Sequence, residues 1–214
     1  MAFGTRPFPS RADRPAQDGS GGAGDLAGRG PAADPVDVAR QICLHQLERA
    51  PRTRAQLAAR LRSKGVEDDV AEQVLSRFAE VGMIDDALFA QMWVTSRHRG
   101  KGLARRALSQ ELRRKGVGDQ EVAEAVAALD PEVELATARA LVDRRLRTTQ
   151  GLPAEARVRR LAGMLARKGY PAGTAFRVVR EALAAEGVES ELALDEPGLD
   201  GLDALDGVDD EPPG

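Results

Sequence analysis

The lone cysteine, Cys43, stands two residues before His45, and a thiol beside an imidazole is one way to build an activated nucleophile. Both residues fall on a predicted helix, where positions two apart point in different directions, so the spacing favours a buried cysteine near a surface histidine. One cysteine with His45 and His98 is too small a set for a structural zinc site. Asp85-Asp86 could suggest metal chemistry, but two acids at the start of an apolar helical run read more simply as a helix N-cap. No strand leads into a Gly-rich phosphate loop, and no acid and base share a catalytic setting. The expectation is a protein that is not an enzyme, with no catalytic residue, no metal site and no cofactor.

The chemistry the residues do offer is anion recognition. Arg97-His98-Arg99-Gly100-Lys101-Gly102-Leu103-Ala104-Arg105-Arg106 continues to Arg113-Arg114-Lys115, and Glu111 is the only acid between Arg97 and Lys115. Unneutralised charge of this density destabilises an isolated fold and points to a binding surface. No Phe, Trp or Tyr lies between Trp93 and Tyr170, so contact with phosphate or carboxylate fits better than base stacking. Phe89 and Trp93, four apart, are expected in the core.

The elements that must carry this charge announce themselves as a repeat. Leu57-x3-Leu61-x2-Lys64-Gly65 recurs as Leu108-x3-Leu112-x2-Lys115-Gly116 and as Leu161-x3-Leu165-x2-Lys168-Gly169, with the lysines 51 and 53 positions apart. A period of this size means an array of one supersecondary unit, and arrays present extended binding surfaces. Helix signals divide the chain into nine helices in three triplets, with no strand signal. Asp34-Pro35 and Asp130-Pro131 open helices as N-cap and first-turn proline. Thr53-x-x-Gln56 is a capping box, Asp85 caps a fourth helix, and Gly100 and Gly102 are expected to break the chain before a fifth spanning 103–115. The seventh helix is expected to reach about Thr148. The repeated pattern falls on the middle helix of each triplet, with the leucines as core and the Lys-Gly pair as a terminator.

On the middle helix of the second triplet, Arg106 and Arg113 lie opposite Leu108 and Leu112. The first repeat offers Arg62 where the second has Arg113, and the third offers Arg159 where the second has Arg106. Arg60, Arg157, Arg160 and Arg167 add charge nearby. Candidate contact residues are therefore Arg62, Arg97, Arg99, Lys101, Arg105 and Arg106, with Arg113, Arg114, Arg159 and Arg167.

The net charge of −3 conceals an asymmetry. Residues 186–214 carry eleven acids and no Lys or Arg, whereas residues 36–185 carry 27 bases and 19 acids, a formal +8. A basic body with an acidic tail suits a polyanion or an acidic protein surface as partner. Residues 1–34, rich in Gly and Pro, and residues 188–214 have the composition of disordered segments. Residues 35–187 are expected to form the helical array, with repeats near 35–84, 85–129 and 130–187. A lone cysteine, no signal-peptide core and no ~20-residue apolar run fit a cytoplasmic protein without a membrane partner.

One run carries a family resemblance. Gly82-Met-Ile-Asp85-Asp86-Ala-Leu-Phe89-Ala90, then Trp93-Val94, Arg97, Gly102 and Leu108-x-x-Glu111-Leu112-x-x-Lys115-Gly116-Val117 resembles the signature of the RecX family. Arg52-Thr53-Arg54-x-x-Leu57 and Leu61-x-x-Lys64-Gly65-Val66 resemble its first repeat, and the resemblance spans about residues 36–187. It implies an all-α, elongated array of three tandem three-helix repeats with disordered ends. It also implies a regulatory protein that binds RecA and RecA–ssDNA filaments and suppresses ATPase, strand exchange and co-protease activities, with direct DNA binding in some members. A monomer is expected. The rival reading is a helical-repeat DNA-binding protein that acts independently of RecA.

Overall fold

The computed structural model describes residues 34–187, which are helical throughout apart from short connections. The helices are α1 (Pro35–Arg49), α2 (Arg54–Ser63), α3 (Asp68–Glu80), α4 (Asp86–Lys101), α5 (Arg105–Arg114), α6 (Asp119–Ala127), α7 (Pro131–Leu146), α8 (Ala154–Arg167) and α9 (Ala172–Ala185). A 3-10 turn, Arg147–Thr149, follows α7, so that helix stops short of the expected Thr148. The composition-based readings of 1–33 and 188–214 lie outside the described residues.

Three apolar clusters give the three units. Leu57 and Leu61 of α2 meet Cys43 of α1 and Leu75 and Phe78 of α3. Leu108 and Leu112 of α5 meet Phe89 and Val94 of α4 and Val122 of α6. Leu161 and Leu165 of α8 meet Val142 of α7 and Val179 and Leu183 of α9. All six repeat leucines are at most 1% exposed. Each such side chain contributes roughly 1.5–3 kcal/mol by burial, so the Leu-x3-Leu spacing is what pins a middle helix to its two neighbours.

The middle helices end alike. Gly65, Gly116 and Gly169 take φ of 76°, 78° and 87°, a left-handed conformation that glycine adopts without a Cβ penalty. Each glycine N–H donates to the carbonyl three residues back (Arg62, Arg113 and Ala166, 2.8–3.0 Å), and the following Val66, Val117 and Tyr170 N–H groups donate to Leu61, Leu112 and Leu165. That is a Schellman closure, repeated three times.

The Lys-Gly pair also joins one unit to the next. Thr53 Oγ1, fully buried, accepts from Gln56 N–H in the capping box and donates to the Lys115 carbonyl at 2.6 Å. At the second joint the Ala104 N–H donates to the Lys168 carbonyl at 2.8 Å. Acidic residues in the first turn of the next unit's leading helix add a second bond at each joint. Asp86 accepts from Arg54 N–H and Glu134 from Arg105 N–H, both at 2.9 Å. The backbones meet closely. A side chain at Gly116 would stand 2.3 Å from Ala55 Cβ, and one at Gly169 would stand 2.5 Å from the Ala107 nitrogen. At Gly65, which has no preceding unit to meet among the described residues, nothing lies within 4 Å. The pair is thus a helix terminator in the first unit and both terminator and joint in the second and third.

One turn differs from the sequence expectation. Gly100 lies within α4, which continues to Lys101, and only Gly102 (φ 63°) breaks the chain. Leu141 and Tyr170 of the third unit explain the choice. Leu141 packs where a Gly102 side chain would stand, and Tyr170 Oη donates to the Gly102 carbonyl at 3.2 Å. His98, counted above in the basic run, is buried between α4 and α7, with Nδ1 2.9 Å from the Leu103 carbonyl and Nε2 3.0 Å from Thr137 Oγ1.

Candidate interaction surface

The arginines of the basic run divide by what the fold does with them. Arg105 is committed to structure: its guanidinium donates to the carbonyls of Val126 (3.2 Å) and Leu129 at the end of α6, and Nε lies 3.7 Å from Glu134. Val126 lies in the last turn of α6 and Leu129 just beyond it, so Arg105 ties down the chain where that helix ends. Arg97 is committed as well. It pairs with Glu111 at 3.0 Å and stands 4.5 Å over the Trp93 ring. Lys115 stands over the same ring at 4.0 Å, Phe89 stacks on it, and the indole N–H donates to Glu111 at 2.8 Å. Burial first and the Arg97 charge second hold the Lys115 ammonium below its ordinary pKa. Phe89 is core as expected, whereas Trp93 is half-buried and framed by cations.

Arg157 moves from the surface to the interior. It is 4% exposed, bonds Thr149 Oγ1 at 3.1 Å and the Leu146 carbonyl at 3.4 Å, and pairs with Glu186 at 2.5 Å. It therefore adds no charge to an outer face, a correction to the sequence reading.

The remaining candidates face outward. Arg62 and Arg113 hold equivalent places on α2 and α5, and each reaches an exposed acid six residues on, Asp68 at 3.4 Å and Asp119 at 2.8 Å. Exposed pairs of this kind contribute about 0–1 kcal/mol and exchange readily for another anion. Arg99, Arg106, Arg114, Arg159 and Arg167 are exposed and make no side-chain hydrogen bond or ion pair among the described residues. Arg106 sits at the rim of a cleft of about 590 Å³ between the second and third units, with Arg177 and Glu132 alongside and Leu135 and Tyr170 in its wall.

A cationic cluster at the second joint escapes a sequence reading that treats Lys168 only as a terminator. The Lys168 ammonium donates to the Lys101 carbonyl at 2.6 Å. Burial first, and then the charges of Arg144, Lys101 and Arg145, hold its pKa below the ordinary lysine range. Among the described residues no carboxylate pairs with any of the four. The available signal is the 53-residue step from Lys115, which places Lys168 at a joint equivalent to the one where Lys115 meets Arg97 and Arg52.

Cys43 and His45 do not come together. Cys43 is buried, its thiol pushed up to about 11 by burial, and His45 is exposed on another side of α1. Among the described residues no helix is long and apolar enough to cross a membrane.

Comparison with known proteins gives a consistent picture. Family models described as the first, second and third three-helix domains of RecX match residues 39–78, 85–126 and 132–179. A regulatory protein RecX from Thermobifida fusca is 58% identical over 172 residues, covering 79% of this chain and 93% of its own. One from Streptomyces coelicolor is 56% identical over 182 residues, covering 85% and 97%. The crystal structure of RecX from Lactobacillus salivarius superposes with a TM-score of 0.65 at 17% identity, over 70% of this chain and 97% of that one, and so supports the fold.

Proposed function

The chain belongs to the RecX family of regulatory proteins, and on that premise we propose that it binds RecA and RecA–ssDNA filaments and restrains their ATPase, strand-exchange and co-protease activities, in the cytoplasm and as a monomer. The observation that carries the reading is the presence of all three family domains in order along one chain. The basic surface supports a mode of contact. Arg62, Arg99, Lys101, Arg106, Arg113, Arg114, Arg159 and Arg167 spread outward charge over all three units, so neighbouring protomers and the strand they hold can be engaged together. Arg97 and Arg105 serve by holding the second unit in shape.

Many weak charged contacts on a polymer give avidity that a single protomer or a bare strand does not. Association with RecA assembled on oligo(dT) is expected to be about a hundredfold tighter than with oligo(dT) alone at the same salt. Fluorescence anisotropy of a labelled oligonucleotide, with and without RecA and a slowly hydrolysed nucleotide, reads the difference. Equal affinity for both would replace this proposal with the RecA-independent DNA-binding reading.

A further inference from the structure

Lys101, Arg144, Arg145 and Lys168 gather at the second joint with no paired acid among the described residues. Three of them, Lys101 of α4 and Arg144 and Arg145 of α7, come from leading helices of successive units, and Lys168 is held in place through the Lys101 carbonyl. Such a cluster raises the free energy of the bare fold and lowers it again when an anion binds. The same chain supplies one. Residues 188–214 carry ten acids and no Lys or Arg, with Leu-Asp pairs at 199–200, 202–203 and 205–206.

We propose that this acidic run folds back onto the Lys101–Arg144–Arg145–Lys168 cluster and screens it from outside anions. Three observations carry the assignment. The first is charge complementarity between a cluster lacking acids and a segment lacking bases. The second is that Glu186, which begins the acidic run, is already held by the buried Arg157, so the run departs from a fixed point on the third unit. The third is reach. Lys168 lies at the start of the α8–α9 turn and Gly187 just beyond the end of α9, whose 14 residues span about 21 Å at ~1.5 Å each. The 27 residues beyond Gly187 are long enough to cover that separation, since a chain of that length can reach at most roughly 90 Å at ~3.3 Å per residue.

The test needs neither RecA nor nucleic acid, so it fails or succeeds apart from the proposed function. A nitroxide is attached to the full chain carrying Ala204→Cys. Cys43 stays unlabelled because its thiol is buried and protonated. In 50 mM salt the amide resonances of residues 99–103, 143–147 and 166–169 are expected to lose at least about fivefold in intensity, and to recover at 0.5 M salt as screening shortens the electrostatic reach. Arg144→Glu with Arg145→Glu, both exposed, is expected to abolish the loss while leaving the remaining amide spectrum in place. Broadening spread evenly over the surface, broadening centred on the Arg106–Arg177 cleft, persistence in the double variant, or insensitivity to salt would each overturn the proposal.

Discussion

Replacing Arg106 and Arg113 together by glutamate is expected to raise the concentration needed for half-inhibition of RecA ATPase by about a hundredfold or more, with helicity and Tm nearly unchanged. The two residues lie seven apart on the outer face of α5, opposite Leu108 and Leu112, which are fully buried. Arg106 has no partner among the described residues, and Arg113 has only the exposed Asp119. Their loss therefore costs the fold about 1 kcal/mol at most. At an interface the balance reverses, because like-charge juxtaposition costs several kcal/mol and about 1.4 kcal/mol is a factor of ten in affinity. Arg40→Glu with Arg77→Glu in the first unit makes the same change in net charge. Both are exposed arginines in local pairs outside the proposed contact set, so inhibition should persist. Unchanged inhibition by the Arg106/Arg113 variant would remove α5 from the contact surface.

The second large effect concerns the joints. Gly169→Ala is expected to destabilise the helical body by roughly 3–4 kcal/mol, lowering Tm by about 10 °C, whereas Gly65→Ala costs only ~1–2 kcal/mol. Both glycines have positive φ, 87° and 76°, so both substitutions bear the left-handed penalty. Only Gly169 adds a collision, since its new Cβ would stand 2.5 Å from the Ala107 nitrogen and 2.7 Å from Ala107 Cβ. Backbone atoms cannot step aside as a flexible side chain can, so relief must come by separating the second and third units. That separation also breaks the Ala104–Lys168 hydrogen bond. Gly116→Ala should fall between the two, because its 2.3 Å clash is with the single Ala55 methyl. Thermal unfolding of the three variants gives the ranking. Equal losses would show that the glycines act only as helix terminators.

The difference between those variants marks what the sequence could and could not convey. The leucine spacing, the Thr53 capping box and the Asp85 and Asp130 caps are local signals, and the nine helices in three units among the described residues follow from them. The joint role of Lys-Gly is not local. It depends on Thr53 meeting a carbonyl 62 positions away, which no window of residues encodes. Gly100 and Gly102 look alike as helix breakers, and contacts with Leu141 and Tyr170 of the next unit accompany the break at Gly102. The arginines show the same limit. Counting charges identified a basic body but not which guanidinium groups the fold satisfies internally. Arg105 is absorbed by carbonyls more than twenty residues on, and Arg157 by Glu186, 29 residues on. Arg106, whose neighbours three and four positions along the chain are uncharged, stays exposed as its position suggested, and Arg114 and Arg159 stay exposed although Glu111 and Glu155 lie three and four residues before them.

The most direct test of the central claim is the rate of ATP hydrolysis by RecA on single-stranded DNA as this protein is added. If its contacts bridge neighbouring protomers, one molecule restrains several, and hydrolysis is expected to fall steeply at amounts well below one molecule per RecA. A rate that stays constant up to equimolar protein, under conditions where the chain is folded, would contradict it.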